Sequence, residues 1–147
     1  MIIKNTEFLI QTEDYLDITD ITDQVIDFVS KSDIKNGLIN IQTMHTSASV
    51  FMNTNEPLFL EDLKKNIEGI GPRNIPYNHD DFKRRTVHMH KDESPNGHSH
   101  CKAAHLPTNI TINIVNGKIQ LGTWQRIMFI ELDKPLSRKA QIQIIGL

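Results

Sequence analysis

The chain has 147 residues, 38% of them hydrophobic and 23% charged, with a formal net charge of -2. That length suits one domain spanning 1–147 with a real core, and the near balance of charge argues against general nucleic-acid binding and against a polybasic membrane patch. No apolar run approaches the ~18 residues of a spanning helix, the N-terminus MIIKNTEFLI lacks a signal-peptide pattern, and one cysteine allows no internal disulfide, so a cytoplasmic protein is expected.

Residues 2–11, IIKNTEFLIQ, are strand formers in partial alternation and predict a first strand. Asp14 to Thr19 reads as a turn into a helix. Ile21, Val25, Phe28 and Val29 then form a helical stripe, with Asp20 as N-cap and Asp23 in the first turn. Asn36-Gly37 closes that unit. LINIQTMHTSASVFMN, from Leu38, predicts two strands joined near His45–Ser47, or one strand bent by a bulge. After the loop Asn53–Pro57, the residues Leu60, Leu63, Ile67 and Ile70 predict a second helix that starts at Pro57 and stops at Gly71-Pro72.

Arg73 to Gly97 shows no clear period and carries His79, the basic run Lys83-Arg84-Arg85, His88 and His90. A loop this long in a small domain is more often functional than filler. Pro95 to Leu106 follows, reading PNGHSHCKAAHL, with three of the seven histidines, the cysteine and Lys102. On an extended segment His98 and His100 face the same way, and Cys101 points to the opposite side, into the core. Strands are predicted at Ile110–Val115, Lys118–Leu121, Arg126–Leu132 and Ala140–Ile145, with an Asn116-Gly117 hairpin turn. The order predicts an α+β fold with mainly antiparallel pairing.

Clustered imidazoles suit metal binding or acid/base work near neutral pH. Taken singly, a histidine is more often a satisfied polar residue, and His88 and His90 are read that way. The basic run at 83–85 reads first as a solvated face. Lys102 and Arg126 suit phosphate groups. Gln125 offers both a donor and an acceptor, the backbone of Thr46-Ser47 can donate to an anion, and Trp124 forms either core or pocket wall. No nucleotide-binding glycine loop is present.

Three pieces carry a resemblance: HTSAS at 45–49, NGHSHCKAAHL at 96–106 and NGKIQLGTWQRIMFIELD at 116–133, joined by Tyr77-Asn78-His79. Together they resemble the YjbQ family (UPF0047, the secondary thiamine-phosphate synthase family) over nearly the whole chain. The resemblance implies a β-sandwich with two helices that assembles as a homotrimer. It implies an activity joining an aminopyrimidine pyrophosphate to a thiazole phosphate, giving thiamine phosphate and pyrophosphate. On this reading His45, His100 and Gln125 are catalytic, and Thr46, Ser47, Lys102 and Arg126 bind a phosphorylated small molecule. His45, His79 and His100 would hold a divalent metal, zinc or magnesium, if one is used. The alternative is a non-enzymatic trimer that binds a metal or metabolite through the same histidines. The loop Asn53-Thr54-Asn55-Glu56-Pro57 departs from the family pattern, so Glu56 either takes over the role of the usual loop acid or that role is lost.

Overall fold

Alternation builds the first element. In β1 (Ile2–Gln11), Lys4, Thr6, Phe8 and Ile10 turn inward and their neighbours face solvent. The computed structural model describes residues 1–147, and β1 is followed by β2 (Ile18–Asp20), α1 (Thr22–Ser30), β3 (Gly37–Thr43), β4 (Ala48–Asn53) and α2 (Pro57–Ile70). A 3-10 turn at Asn78–Asp80 leads to α3 (Gly97–Ala103), β5 (Asn109–Val115), β6 (Lys118–Ile119), β7 (Arg126–Glu131) and β8 (Ser137–Gly146).

The strands form two sheets, ordered β1-β8-β3-β5-β6 and β2-β7-β4, and every pairing is antiparallel. The main core lies between them and α1, and includes Ile39, Ile41, Ile142 and Ile144 from one sheet and Val50, Ile127 and Phe129 from the other. A smaller core joins the far side of the second sheet to α2 and α3 through Ile67, Ala103, Ile130 and Leu132. The order of layers is therefore five-stranded sheet, three-stranded sheet, helices. It explains why Ile127 to Glu131 on β7 are buried on both faces. Each fully buried isoleucine contributes about 2 kcal/mol of transfer free energy.

Local chemistry sets the boundaries. Pro57 opens α2, and the Glu56 carboxylate accepts from the amides of Leu58 (3.0 Å) and Phe59 (2.7 Å). These bonds hold the Glu56 carboxyl below its usual range. Its place in the loop is thus that of a helix cap. Asn116 (φ 50°) and Gly117 (φ 74°) make the expected hairpin turn. Gly37 and Gly146 face each other, and a Cβ at Gly37 would lie 2.2 Å from the Ile145 carbonyl oxygen, so only glycine lets β3 and β8 close there.

Several sequence expectations need correction. There are three α-helices, not two, because the histidine-rich stretch is helical. Asp14–Thr19 does not lead straight into a helix; Ile18–Asp20 first pairs with β7. Asp20 stands one residue before the N-cap position, Ile21, yet its carboxylate still accepts from the Thr22 amide at 2.9 Å. Of the two readings of 38–53, two strands joined near His45–Ser47 holds over one bent strand, and the two belong to different sheets.

Candidate functional site

The site grows from α3. Asp80 Oδ1 accepts from the amides of Asn96 and Gly97, both at 2.9 Å, which pins the start of the helix to the 3-10 turn. A Cβ at Gly97 would lie 2.6 Å from Tyr77 Cβ, so the Gly97 backbone packs directly against the Tyr77 side chain. The extended reading of this stretch fails here. Two residues along a helix are about 200° apart rather than on one face. His98 therefore turns into the protein and His100 turns out of it. Cys101 is exposed rather than packed in the core.

On the inner side lies a buried ionic cluster. Lys102 is fully enclosed, and its ammonium donates to the Gly71 carbonyl (2.5 Å), meets His98 Nδ1 (3.3 Å) and pairs with Glu68 (3.3 Å). Tyr15 donates its hydroxyl to Glu68 and lies under the Arg73 guanidinium at 3.6 Å. Burial pushes Lys102 down, and burial together with the Lys102 charge pushes His98 down. Burial and the Glu68 bond push the Tyr15 hydroxyl up. Lys102, expected to hold phosphate, is committed to these internal partners.

On the outer side is a cleft of about 780 Å³ with only two apolar residues in its wall, Val87 and Leu136. His79 and His100 meet there edge to face, their ring centres 4.7 Å apart. His100 Nδ1 bonds the Thr46 carbonyl at 3.1 Å, so Nδ1 carries the proton and Nε2 keeps a free lone pair. Arg85 lies 2.9 Å from His79 Nε2 and 2.5 Å from Glu93. A guanidinium only donates, so His79 Nε2 is an acceptor. His88 and His90, read from sequence as bystanders, both line the cleft.

At the cleft floor Arg138 is almost wholly buried. Its Nε and Nη2 bond Glu131 at 2.6 and 2.5 Å, and Nη2 also reaches Ser47 Oγ at 2.9 Å. Glu131 accepts in addition from Thr12 Oγ1 (3.0 Å) and the Asp133 amide (3.0 Å), so its acceptor positions are filled. Sequence reading passed over Arg138 and Glu131. The signal was present: Arg138 shares inward parity with Ala140, Ile142 and Ile144, and Glu131 ends a wholly buried run.

Thr46 and Ser47 line the cleft, but the peptide between them turns its carbonyl to His100. Being trans, that peptide points the Ser47 N–H the other way and offers His100 an acceptor, not a donor. His45 does not line the cleft. Its Nε2 accepts from the Lys139 amide at 2.8 Å, and burial, then Arg138, hold it below the usual histidine range. No group of three or more His, Cys, Asp or Glu side chains is arranged to hold a metal ion. Within one chain, therefore, His45, His79 and His100 do not fit the expected ion, and no step below runs through a metal.

Gln125 and Arg126 lie elsewhere. Gln125 caps the turn by accepting from the Gly122 amide at 2.8 Å, and Arg126 pairs with Asp20 (2.7 Å) and Asp23 (3.2 Å). Arg126 pairs across from Asn53 while Glu131 pairs across from Ala48. The two ends are thus about 17 Å of strand apart. Trp124 beside them is 78% exposed, neither core nor cleft wall in one chain.

Comparisons with known proteins agree with this architecture. The family described as UPF0047 protein YjbQ-like matches residues 6–147. A UPF0047 protein of Methanothermobacter thermautotrophicus is 31% identical over 95% of this chain and 90% of its own length. A UPF0047 protein of Archaeoglobus fulgidus is 32% identical over 95% of this chain and 99% of its own. The crystal structure of a YbjQ-like protein of unknown function from Sulfolobus solfataricus superposes with a TM-score of 0.87 at 30% identity, covering 99% of this chain and 98% of that one. A match spanning both sheets, all three helices and the cleft places this chain in the YjbQ-like UPF0047 protein family.

Proposed function

We propose that the outer cleft is an active site for a phosphorylated small molecule, with chemistry of the thiamine-phosphate-synthase type. The observation that carries this reading is the His79–His100 pair in a polar cleft, with His100 fixed as an Nδ1–H tautomer whose Nε2 is free. In the proposed reaction the thiazole nitrogen attacks the aminopyrimidine methylene carbon. A C–N bond forms, the C–O bond to pyrophosphate breaks, and the electron pair leaves with pyrophosphate. His100, on taking up a solvent proton at the free Nε2, would pass it to the departing oxygen, a contribution of about 10²–10⁴ in rate. His79, held by Arg85, would position that ring. His45 would act through structure, tying the β3–β4 loop to β8.

The test is formation of thiamine phosphate from the two precursors by purified protein, beside a known synthase. Wild-type turnover that His100→Ala reduces at least a hundredfold supports the reading. No product from wild type, with the control active, removes it.

A binding protein without turnover is the second reading. It is favoured by the engagement of His79 Nε2 with Arg85, which leaves His100 Nε2 as the one ring nitrogen of the pair with an open lone pair. Ligand binding without product distinguishes it. The proposal includes a homotrimer. Ile3, Ile145 and Leu38 form one exposed apolar row across β1, β8 and β3, which supports self-association. Light scattering at about three chain masses is the expected result. No helix is long and apolar enough to cross a membrane.

A further inference from the structure

Two side chains of the cleft lining, Arg138 and Asn96, have unmet hydrogen-bonding capacity, one accessible and one enclosed. Arg138 donates through Nε and Nη2, while Nη1 has no partner in the chain. Nη1 is nevertheless not sealed away, because Asn96 Oδ1 alone is both enclosed and unpartnered. Asn96 also lines the cleft, and an enclosed acceptor without a donor costs about 1–3 kcal/mol. The assignment of its amide is firm, because Nδ2 donates to the Asp133 carboxylate at 3.3 Å, where an oxygen would be repelled.

The two atoms belong to one network. Asn96 bonds Asp133, the Asp133 amide bonds Glu131, and Glu131 grips Arg138. Saturated Glu131 fixes the guanidinium at the centre of the network, and the end open to the cleft is the cationic donor Arg138 Nη1. Neither Lys102 nor Arg126, the cations that sequence suggested for this task, reaches the cleft wall.

We propose that Arg138 anchors the phosphate of the ligand through Nη1. The choice of phosphate rests on the function proposed above, whereas the donor position does not. Guanidinium suits phosphate through paired N–H groups, and preorganisation by Glu131 and Ser47 spares the ordering cost of a free arginine.

Calorimetric titration tests this with pyrophosphate and malonate. The double variant Glu131→Gln/Arg138→Gln removes the guanidinium without leaving a buried carboxylate unpaired. Its fold is checked by circular dichroism. Expected are pyrophosphate binding to wild type and a loss of about tenfold or more in the variant. Unchanged pyrophosphate affinity in the folded variant overturns the proposal. So does binding of malonate without pyrophosphate. If the variant does not fold, wild type labelled with ¹⁵N-arginine decides: a shift of the Arg138 resonance on pyrophosphate addition supports the anchor, and its absence refutes it. Pyrophosphate held by Arg138 with no thiamine phosphate formed would leave this inference standing and remove the proposed reaction.

Discussion

His98 and His100 stand two residues apart on one short helix and meet opposite media. His98 is enclosed beside Lys102, Glu68 and Tyr15, with its Nδ1 turned to the Lys102 ammonium. His100 faces a cleft of about 780 Å³ beside His79, with one ring nitrogen committed to Thr46 and the other free. The difference lies in which groups have capacity left over. On the inner side Lys102 is spent on the fold, bound to Gly71, His98 and Glu68. On the outer side Arg138, Asn96 and His100 keep an unused donor, acceptor or lone pair. Residue type alone, a histidine or lysine in a rich stretch, does not separate the two.

Breaking each side sharpens the contrast. The largest expected effect is on stability from Arg138→Ala, which strands buried Glu131 and costs about 3–5 kcal/mol by urea denaturation. The Gln/Gln double variant, lacking the stranded charge, stays well above it. Lys102→Ala comes next at about 3 kcal/mol, from the cavity left by a fully enclosed chain and the unpaired Gly71 carbonyl. His100→Ala inverts the pattern: stability changes by less than about 1 kcal/mol, while turnover, or ligand affinity if there is no turnover, falls steeply.

Acid should act through the inner histidine and His45. Both are depressed below the ordinary value of 6.5 in the fold, so the unfolded chain takes up protons first as pH falls. Their contribution is intact above about pH 6.5 and is lost progressively below it. Thermal unfolding at pH 7.5 and 5.5 is expected to show a lower midpoint at the acid value, and His98→Gln should reduce that difference. Cys101→Ser, at an exposed position, should stay within about 0.5 kcal/mol of wild type.

The strands other than β2 and the first two helices were legible because their apolar positions repeat at periods of two and 3.6, and Pro57, Asn116 and Gly117 mark boundaries by their own backbone limits. Helix α3 was not. Its sequence GHSHCKA has no apolar stripe, and its start is held by Asp80, sixteen residues upstream of Asn96, a contact no local pattern reveals. That one miss reversed the placing of His98, Cys101 and Lys102. Arg138 escaped notice for a different reason: in a strand pattern a charge at an inward position reads as an exception, although a buried partner such as Glu131 makes it tenable. His79 with His100 was readable only through the family resemblance, since 20 residues, most of them irregular, lie between them.

The most direct measurement is a pyrophosphate titration of ¹⁵N-histidine-labelled protein, following all seven ring systems by NMR. The account predicts that His79 and His100 move together and saturate, while His98 and His45 stay in place. Movement of His98 with a silent His100, or no movement at all up to millimolar pyrophosphate, would contradict the assignment of the outer cleft as the ligand site.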